Sequence, residues 1–253
     1  MSPIVFLHIP KTAGQSIHAA LETLVGDPGR VSPVRVHTQC PTGSQMPPGY
    51  DLYSGHIDWT ELDTLPPDRF AFTVLRDPRE RIASFYFFLL KEARALSPEA
   101  LARPENTGKR AVLALSADDY FFGGTPGWQT FVRDHYDNFY TAYLATRRMR
   151  GRQRLRGLSE AERLDRARQG AAALQGIYEV DRLQRLEQDL SARFGRPVAL
   201  AGRVVNAGEH VRGERRWPKL LARFESDASA ARLAEFTSLD DALMADLLSS
   251  DGS

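Results

Sequence analysis

Of the 253 residues only one, Cys40, is a cysteine. An internal disulfide is therefore excluded, and so is a zinc site built on a cysteine cluster. A single thiol fits a reducing compartment. Long apolar runs are also missing. Nothing approaches the ~20 apolar residues of a membrane-spanning helix. The run Ile4–Ile9 is too short for a signal-peptide core, and no basic region precedes it. The expectation is a cytoplasmic chain with no membrane association. Charge of one sign is scarce as well: 33 Lys and Arg stand against 32 Asp and Glu, a net charge of +1. General affinity for nucleic acid is not expected, so any anion must be held by local arginines and backbone amides. The densest basic run, "RRMRGRQRLRG", has six arginines in residues 147–156 but no aromatic among them, and single-stranded nucleic acid would call for such rings. Two readings of the run stay open: a solvated helix end, or a platform for an acidic acceptor. Repeats and low-complexity tracts are absent.

What is present is an alternation of strands and helices. "IVFLHI" at Ile4–Ile9 reads as a buried parallel strand, being short, continuous and rich in β-branched residues. Pro10–Gln15 reads as a loop, and Ser16–Val25 as a helix with Ile17, Ala20, Leu21 and Leu24 on one face. Val34–His37 reads as a second strand, and Leu52–Tyr53 as a short run ending at Ser54-Gly55-His56. "RFAFTVL" at Arg69–Leu75 is a further strand. The helix after it is marked by Asp77 as N-cap, Pro78 in the first turn and Glu80 as capping-box partner. Residues 97–127, rich in Pro, Gly and polar residues, read as an excursion, and 91–136 as a mobile or acceptor-facing insertion. Asp137–Thr146 reads as helical, residues 159–194 as one or two helices ending at a glycine stop, and "SLDDALMADLLSS" as a last helix. The expected fold is α/β, a single domain over residues 1–253 with a parallel sheet covered on both faces.

The loop after the first strand contains the parts of an anion cradle. A strand-to-helix turn offers free backbone N–H groups and the positive end of a helix dipole. Lys11 adds a mobile charge, Thr12 and Ser16 add hydroxyls, and Gly14 allows close backbone approach. The pattern is not the Walker A sequence, because Lys11 precedes Gly14 by three residues and Gln15 follows the glycine. Taken alone, the loop is equally compatible with a plain strand–helix connection. Arg76 stands at the carboxyl end of a predicted parallel strand, where open α/β sheets receive ligands. Ser84 lies two turns beyond the Asp77 cap. Taken alone, it reads as a hydroxyl bonded back to its own helix, and Arg76 as the partner of Asp77 or Glu80.

Together, "HIPKTAGQS" and "RDPRERIASFY" resemble the 5′-phosphosulfate loop and the 3′-phosphate motif of the sulfotransferases related to the heparan sulfate 2-O-sulfotransferases. "LYSGHIDW", "SADDYF", "DNFYTAYLA", "YEVDRLQRLEQDLSARFG" and "SLDDALMADLL" extend the likeness over nearly the whole chain. The resemblance implies a three-layer P-loop-type fold and 3′-phosphoadenosine 5′-phosphosulfate (PAPS) as donor. It further implies adenosine 3′,5′-bisphosphate as product, no catalytic metal, and a hydroxyl-bearing carbohydrate or small-metabolite acceptor. It places Lys11, Thr12, Ala13, Gly14, Gln15 and Ser16 around the 5′-phosphate and the sulfuryl group, and Arg76 and Ser84 on the 3′-phosphate. His56 becomes the general base, with His37 and Asp58 in reserve. Arg212 is a further candidate for the 3′-phosphate. The chain departs from the family pattern at Gln15, where Thr or Ser is usual, and at Ala142, where Arg is frequent. A P-loop small-molecule kinase and a catalytically silent nucleotide-binding protein are the alternatives. The kinase would need an acidic strand end for magnesium, and no convincing aspartate is found.

Overall fold

A computed structural model describes residues 1–200 and 214–249 of the chain. The strands are β1 (Ile4–Leu7), β2 (Leu52–Gly55), β3 (Phe70–Leu75) and β4 (Gly176–Glu179). The helices up to residue 136 are α1 (Gly14–Val25), α2 (Pro78–Arg94), α3 (Pro98–Leu101), α4 (Thr107–Ala114), α5 (Ala117–Phe122) and α6 (Pro126–Tyr136). Beyond them come α7 (Phe139–Thr146), α8 (Glu160–Ala171), α9 (Gln184–Phe194), α10 (Trp217–Leu221), α11 (Asp227–Glu235) and α12 (Ser238–Ser249). The chain divides into two compact units. The first comprises Met1–Arg76, Tyr140–Arg212 and Ala242–Ser253, and the second Asp77–Phe139 and Gly213–Asp241.

The first unit holds the sheet, which is all-parallel with strand order β2-β1-β3-β4. Leu7 pairs with Gly55 on one side and Thr73 on the other. The chain passes from β1 through α1 to β2, then crosses to the other side of β1 to lay down β3. The strand order therefore reverses between β1 and β3, which is where such sheets receive ligands. Thr73 ties the two strands there by donating its hydroxyl to the Leu7 carbonyl at 2.8 Å. Ile4, Phe6, Phe70, Phe72 and Val74 pack one face of the sheet against Ile17, Leu21 and Leu24 of α1 and Leu186 and Leu190 of α9. Val5, Leu7, Ala71 and Leu75, on the alternate positions, are also fully buried. Burial on both faces is why these strands read as continuous apolar runs.

In the second unit Ile82, Tyr86 and Leu90 of α2 share a core with Val112, Tyr120, Phe121, Val132 and Tyr136. Residues 97–127 form α3, α4, α5 and the start of α6. Ser97, Ser116 and Thr125 cap α3, α5 and α6, so the Pro- and Gly-rich composition marks helix boundaries.

Some expectations are corrected. α1 begins at Gly14 rather than Ser16, because Ala13 adopts a left-handed conformation and serves as N-cap. Val34–His37 is not a strand: only Val31 and Val36 make isolated parallel bridges, to Leu52 and His56. The short strand β4 has a single β-branched residue, Ile177, and was not expected; its pairing with β3 from Phe72↔Gly176 to Leu75↔Glu179 creates it. Asp77 does cap α2, accepting from the Glu80 amide at 3.0 Å. The Glu80 carboxylate, however, accepts from the amides of Arg216 and Trp217, both at 3.0 Å, and so caps α10.

Candidate active site

The loop between β1 and α1 is wound tightly. Lys11 and Ala13 have positive φ values of 75° and 62°. Non-glycine residues there cost about 1–3 kcal/mol each, and such strain collects at functional sites. Alternating conformations of this kind turn successive N–H groups toward one point, as in anion-binding nests. α1 has no side-chain cap and no acidic residue in its first turn, and the positive end of its dipole favours an anion there. Thr12 is fully buried and donates to the Ile9 carbonyl at 2.9 Å, a stitch across the loop. Ser16 is buried, Lys11 half-buried and Gln15 exposed. Gly14 is required for an unexpected reason. A Cβ there would lie 1.7 Å from Nε2 of His8, so it is an imidazole rather than a ligand that occupies the space of its missing side chain.

Arg76 leaves the carboxyl end of β3, the strand neighbouring β1. Leu7 pairs with Thr73, so Arg76 and the Lys11 loop depart from the same edge of adjacent strands, about 4.8 Å apart. The backbone of Arg76 is held from both sides by one phenol: its N–H donates to Tyr140 Oη at 3.2 Å, and Tyr140 Oη donates to its carbonyl at 2.8 Å. Tyr140 is itself fully buried.

His56 follows β2 at the same edge. Its Nδ1 lies 2.6 Å from the carbonyl oxygen of His8. A carbonyl can only accept, so Nδ1 carries the proton and Nε2 keeps its lone pair. The His8 and His56 rings stand 4.2 Å apart. Segment 35–37 grips the His56 backbone: its N–H donates to the Arg35 carbonyl at 2.8 Å, and its carbonyl accepts from His37 at 2.7 Å. The Arg35 carbonyl passes so close that a Cβ on Gly55 would sit 2.2 Å from it. Only glycine fits. Burial pulls the His56 imidazole below its ordinary 6.5, and Arg35, His37 and Lys11 add to this against the hydrogen bond to His8. Burial takes His8 well below the same value, with His56 and Arg35 the next contributors. His18 is also lowered by burial; it lies on α1 with Nδ1 3.0 Å from Ser54 Oγ.

The reserve bases are less suited. Asp58 accepts from the Met149 amide at 2.8 Å and from Arg148 at 3.1 Å, and among the described residues neither ring nitrogen of His37, both shielded from solvent, has a hydrogen-bond partner. The arginine run divides. Arg147 pairs with Asp63 at 2.7 Å and covers the Trp59 ring at 4.7 Å, so with Arg148 it fastens the turn after α7. Arg150, Arg154 and Arg156 are exposed. Ala142 is buried within α7.

In the second unit Ser84 is buried, and Arg216 donates to its hydroxyl at 3.3 Å. The pairing of Glu80 and Ser84, one turn apart on α2, with Arg216 is the signal by which sequence could have found this arginine. Arg212 lies outside the described residues. Trp128 donates to the Tyr120 carbonyl at 2.8 Å and Tyr136 is fully buried against the Tyr120 hydroxyl at 2.9 Å; both are packing residues. Among the described residues no helix is long and apolar enough to cross a membrane.

A family model described as "Sulfotransferase family" matches residues 2–153. The match spans the loop after β1, His56, Arg76 and Ser84. No curated protein matches the chain.

Proposed function

The chain belongs to the sulfotransferase family, and on that premise we propose that it moves the sulfuryl group of PAPS to a hydroxyl of a carbohydrate or small metabolite. The closer kinship with the heparan sulfate 2-O-sulfotransferases that the motifs imply is part of this proposal. The observation that carries it is the uncapped start of α1 and Arg76 on neighbouring parallel strands at the reversal point of the sheet. These residues have the chemistry of a nucleotide phosphate site: amide donors, a hydroxyl at Ser16, an ammonium at Lys11 and a guanidinium at Arg76.

PAPS would supply the sulfuryl group from its 5′-phosphate. Lys11 and the amides of residues 11–16 face the charge that grows on the departing phosphate oxygen. Preorganised donors of this kind are worth about 3–4 kcal/mol each in a barrier. Lys11 suits the task as a compact, mobile charge. Arg76, with its backbone fixed by Tyr140, meets the 3′-phosphate. The resemblance gives Ser84 a 3′-phosphate role as well, and within the second unit Arg216, which donates to its hydroxyl, is the cation that would share that role. His56 Nε2 takes the proton of the acceptor hydroxyl, a step worth typically ~10²–10⁴-fold.

The test is transfer of radiolabelled sulfate from PAPS to a panel of hydroxyl acceptors, alongside calorimetry with adenosine 3′,5′-bisphosphate. Binding of the bisphosphate, with transfer abolished in Lys11→Ala, is the expected result. Absence of bisphosphate binding overturns the proposal, as does magnesium-dependent ATP turnover, which would indicate a kinase. Bisphosphate binding without transfer to any acceptor would indicate a silent binding protein.

A further inference from the structure

Arg35 has no part in the roles assigned above, yet the geometry around it is specific. Its carbonyl is the acceptor for the His56 amide at 2.8 Å, and it replaces the side chain that Gly55 lacks. Its half-buried guanidinium turns back onto the imidazole of His18, its Nη1 against both ring nitrogens, and the Glu22 carboxylate meets the same ring at 3.0 Å. Among the described residues it makes no ion pair with a carboxylate, and its Nε is buried without a hydrogen bond. Drawing a cation this far from water and setting it against an imidazole is costly.

The surroundings show what the charge meets. His56 is faced by His8 and Lys11 from the β1 side and by Arg35 and His37 from segment 35–37. Arg35 in turn faces His18 and Glu22 of α1, and His37 faces Asp58 and Arg150. The cluster thus gathers four imidazoles, and cations outnumber carboxylates around it. We propose that Arg35 is a positioning residue: its carbonyl fixes the His56 backbone, and its guanidinium holds a permanent positive charge beside His8 and His56 so that His56 remains the Nδ1–H imidazole with Nε2 open. The need for it follows from the proposed donor. A nucleotide with several phosphate charges, bound at the neighbouring loop, pulls nearby imidazoles toward protonation, and a protonated His56 accepts no proton. A fixed cation opposes that pull.

The kinetic part of this inference rests on the proposed transferase reading; the spectroscopic part does not. Imidazole nitrogen and carbon shifts in isotopically labelled full-length protein report tautomer and titration without turnover. In the wild type, His56 is expected as the neutral Nδ1–H form at pH 7; an Nε2–H or doubly protonated ring would overturn the proposal whatever the variants do. Arg35→Met should raise the His56 midpoint by on the order of 0.5–1 pH unit, with adenosine 3′,5′-bisphosphate enlarging the difference. Arg35→Lys, which keeps the charge, should restore most of it. In kcat/KM against pH, the acid limb of Arg35→Met should move up by the same amount. An unmoved midpoint in a folded Arg35→Met protein, or equal shifts in Met and Lys variants, refutes the electrostatic role. Should Arg35→Met fail to fold, Arg35→Gln carries the same expectation and the same refutation. A shifted midpoint without any sulfuryl transfer would retain the inference and remove the reaction.

Discussion

Gly55→Ala is the substitution that most directly probes how the base is held. The added methyl would stand 2.2 Å from the Arg35 carbonyl oxygen and 2.7 Å from its carbon. An ordinary carbon–oxygen approach is about 3.3 Å, so the two chains must separate by about 1 Å. Both are backbone, and β2 is fully buried, so no side-chain rotation relieves the clash. Overpacking of this sort costs about 1–3 kcal/mol. The separation also strains two backbone hydrogen bonds, His56 to Arg35 and His37 to His56, each worth about 1 kcal/mol. The expected loss is therefore about 3 kcal/mol or more, read by urea unfolding as a lower midpoint with an unchanged slope. Gly26→Ala is the control: its φ is 78°, but nothing lies within 4 Å of the added methyl, so it should cost only the left-handed backbone, about 1–2 kcal/mol. Turnover should fall in Gly55→Ala and persist in Gly26→Ala. A Gly55→Ala protein that loses under about 0.5 kcal/mol and keeps full turnover would refute the account of segment 35–37 as the clamp on His56.

Tyr140→Phe removes the hydroxyl that brackets the Arg76 backbone; it should destabilise by about 1–3 kcal/mol and weaken binding of adenosine 3′,5′-bisphosphate severalfold in calorimetry. Asp58→Asn should release the turn at 148–149, with Arg148→Ala adding little in that background, since the two act through one contact; a double-mutant cycle measures this. The lowered imidazoles set an acid limit. His8, His18, His37 and His56 bind protons less readily in the fold than their ordinary 6.5, so below that pH the unfolded chain binds more protons and stability falls as pH falls. Thermal unfolding should show a flat midpoint above pH 6.5 and a decline below it, shallower in His8→Gln. Arg216→Ala should leave the fold intact while weakening the bisphosphate more than adenosine 5′-monophosphate, a comparison that isolates the 3′-phosphate.

Much of this was legible in the sequence where local chemistry decided the outcome. β1 and β3 are short β-branched runs buried on both faces, and Asp77 with Pro78 announces α2. Lys11, His56 and Arg76 each follow a strand, where a parallel sheet projects its chemistry, and it was the resemblance that gave them their proposed roles. What was not legible depended on contacts distant in sequence. β4 exists only as a partner of β3. Glu80 has the spacing of a capping box, yet it caps a helix 136 residues away. Gly14 was expected to make room for a ligand, and it makes room for His8. Arg35 sits between Val34 and Val36, an alternation that suggested a strand but not which groups its guanidinium would meet.

The broken pairing along the outer side of β2 has one more effect. Val31 bridges Leu52 and Val36 bridges His56, so five steps on one chain answer four on the other, and Pro33 between them has no N–H to offer. The segment meets the outer flank of β2 at its two ends, Leu52 and His56, without presenting a new straight edge in its place. A second molecule approaching from that side finds no continuous ladder to extend, and the same short stretch that positions the imidazole also discourages self-association into fibres.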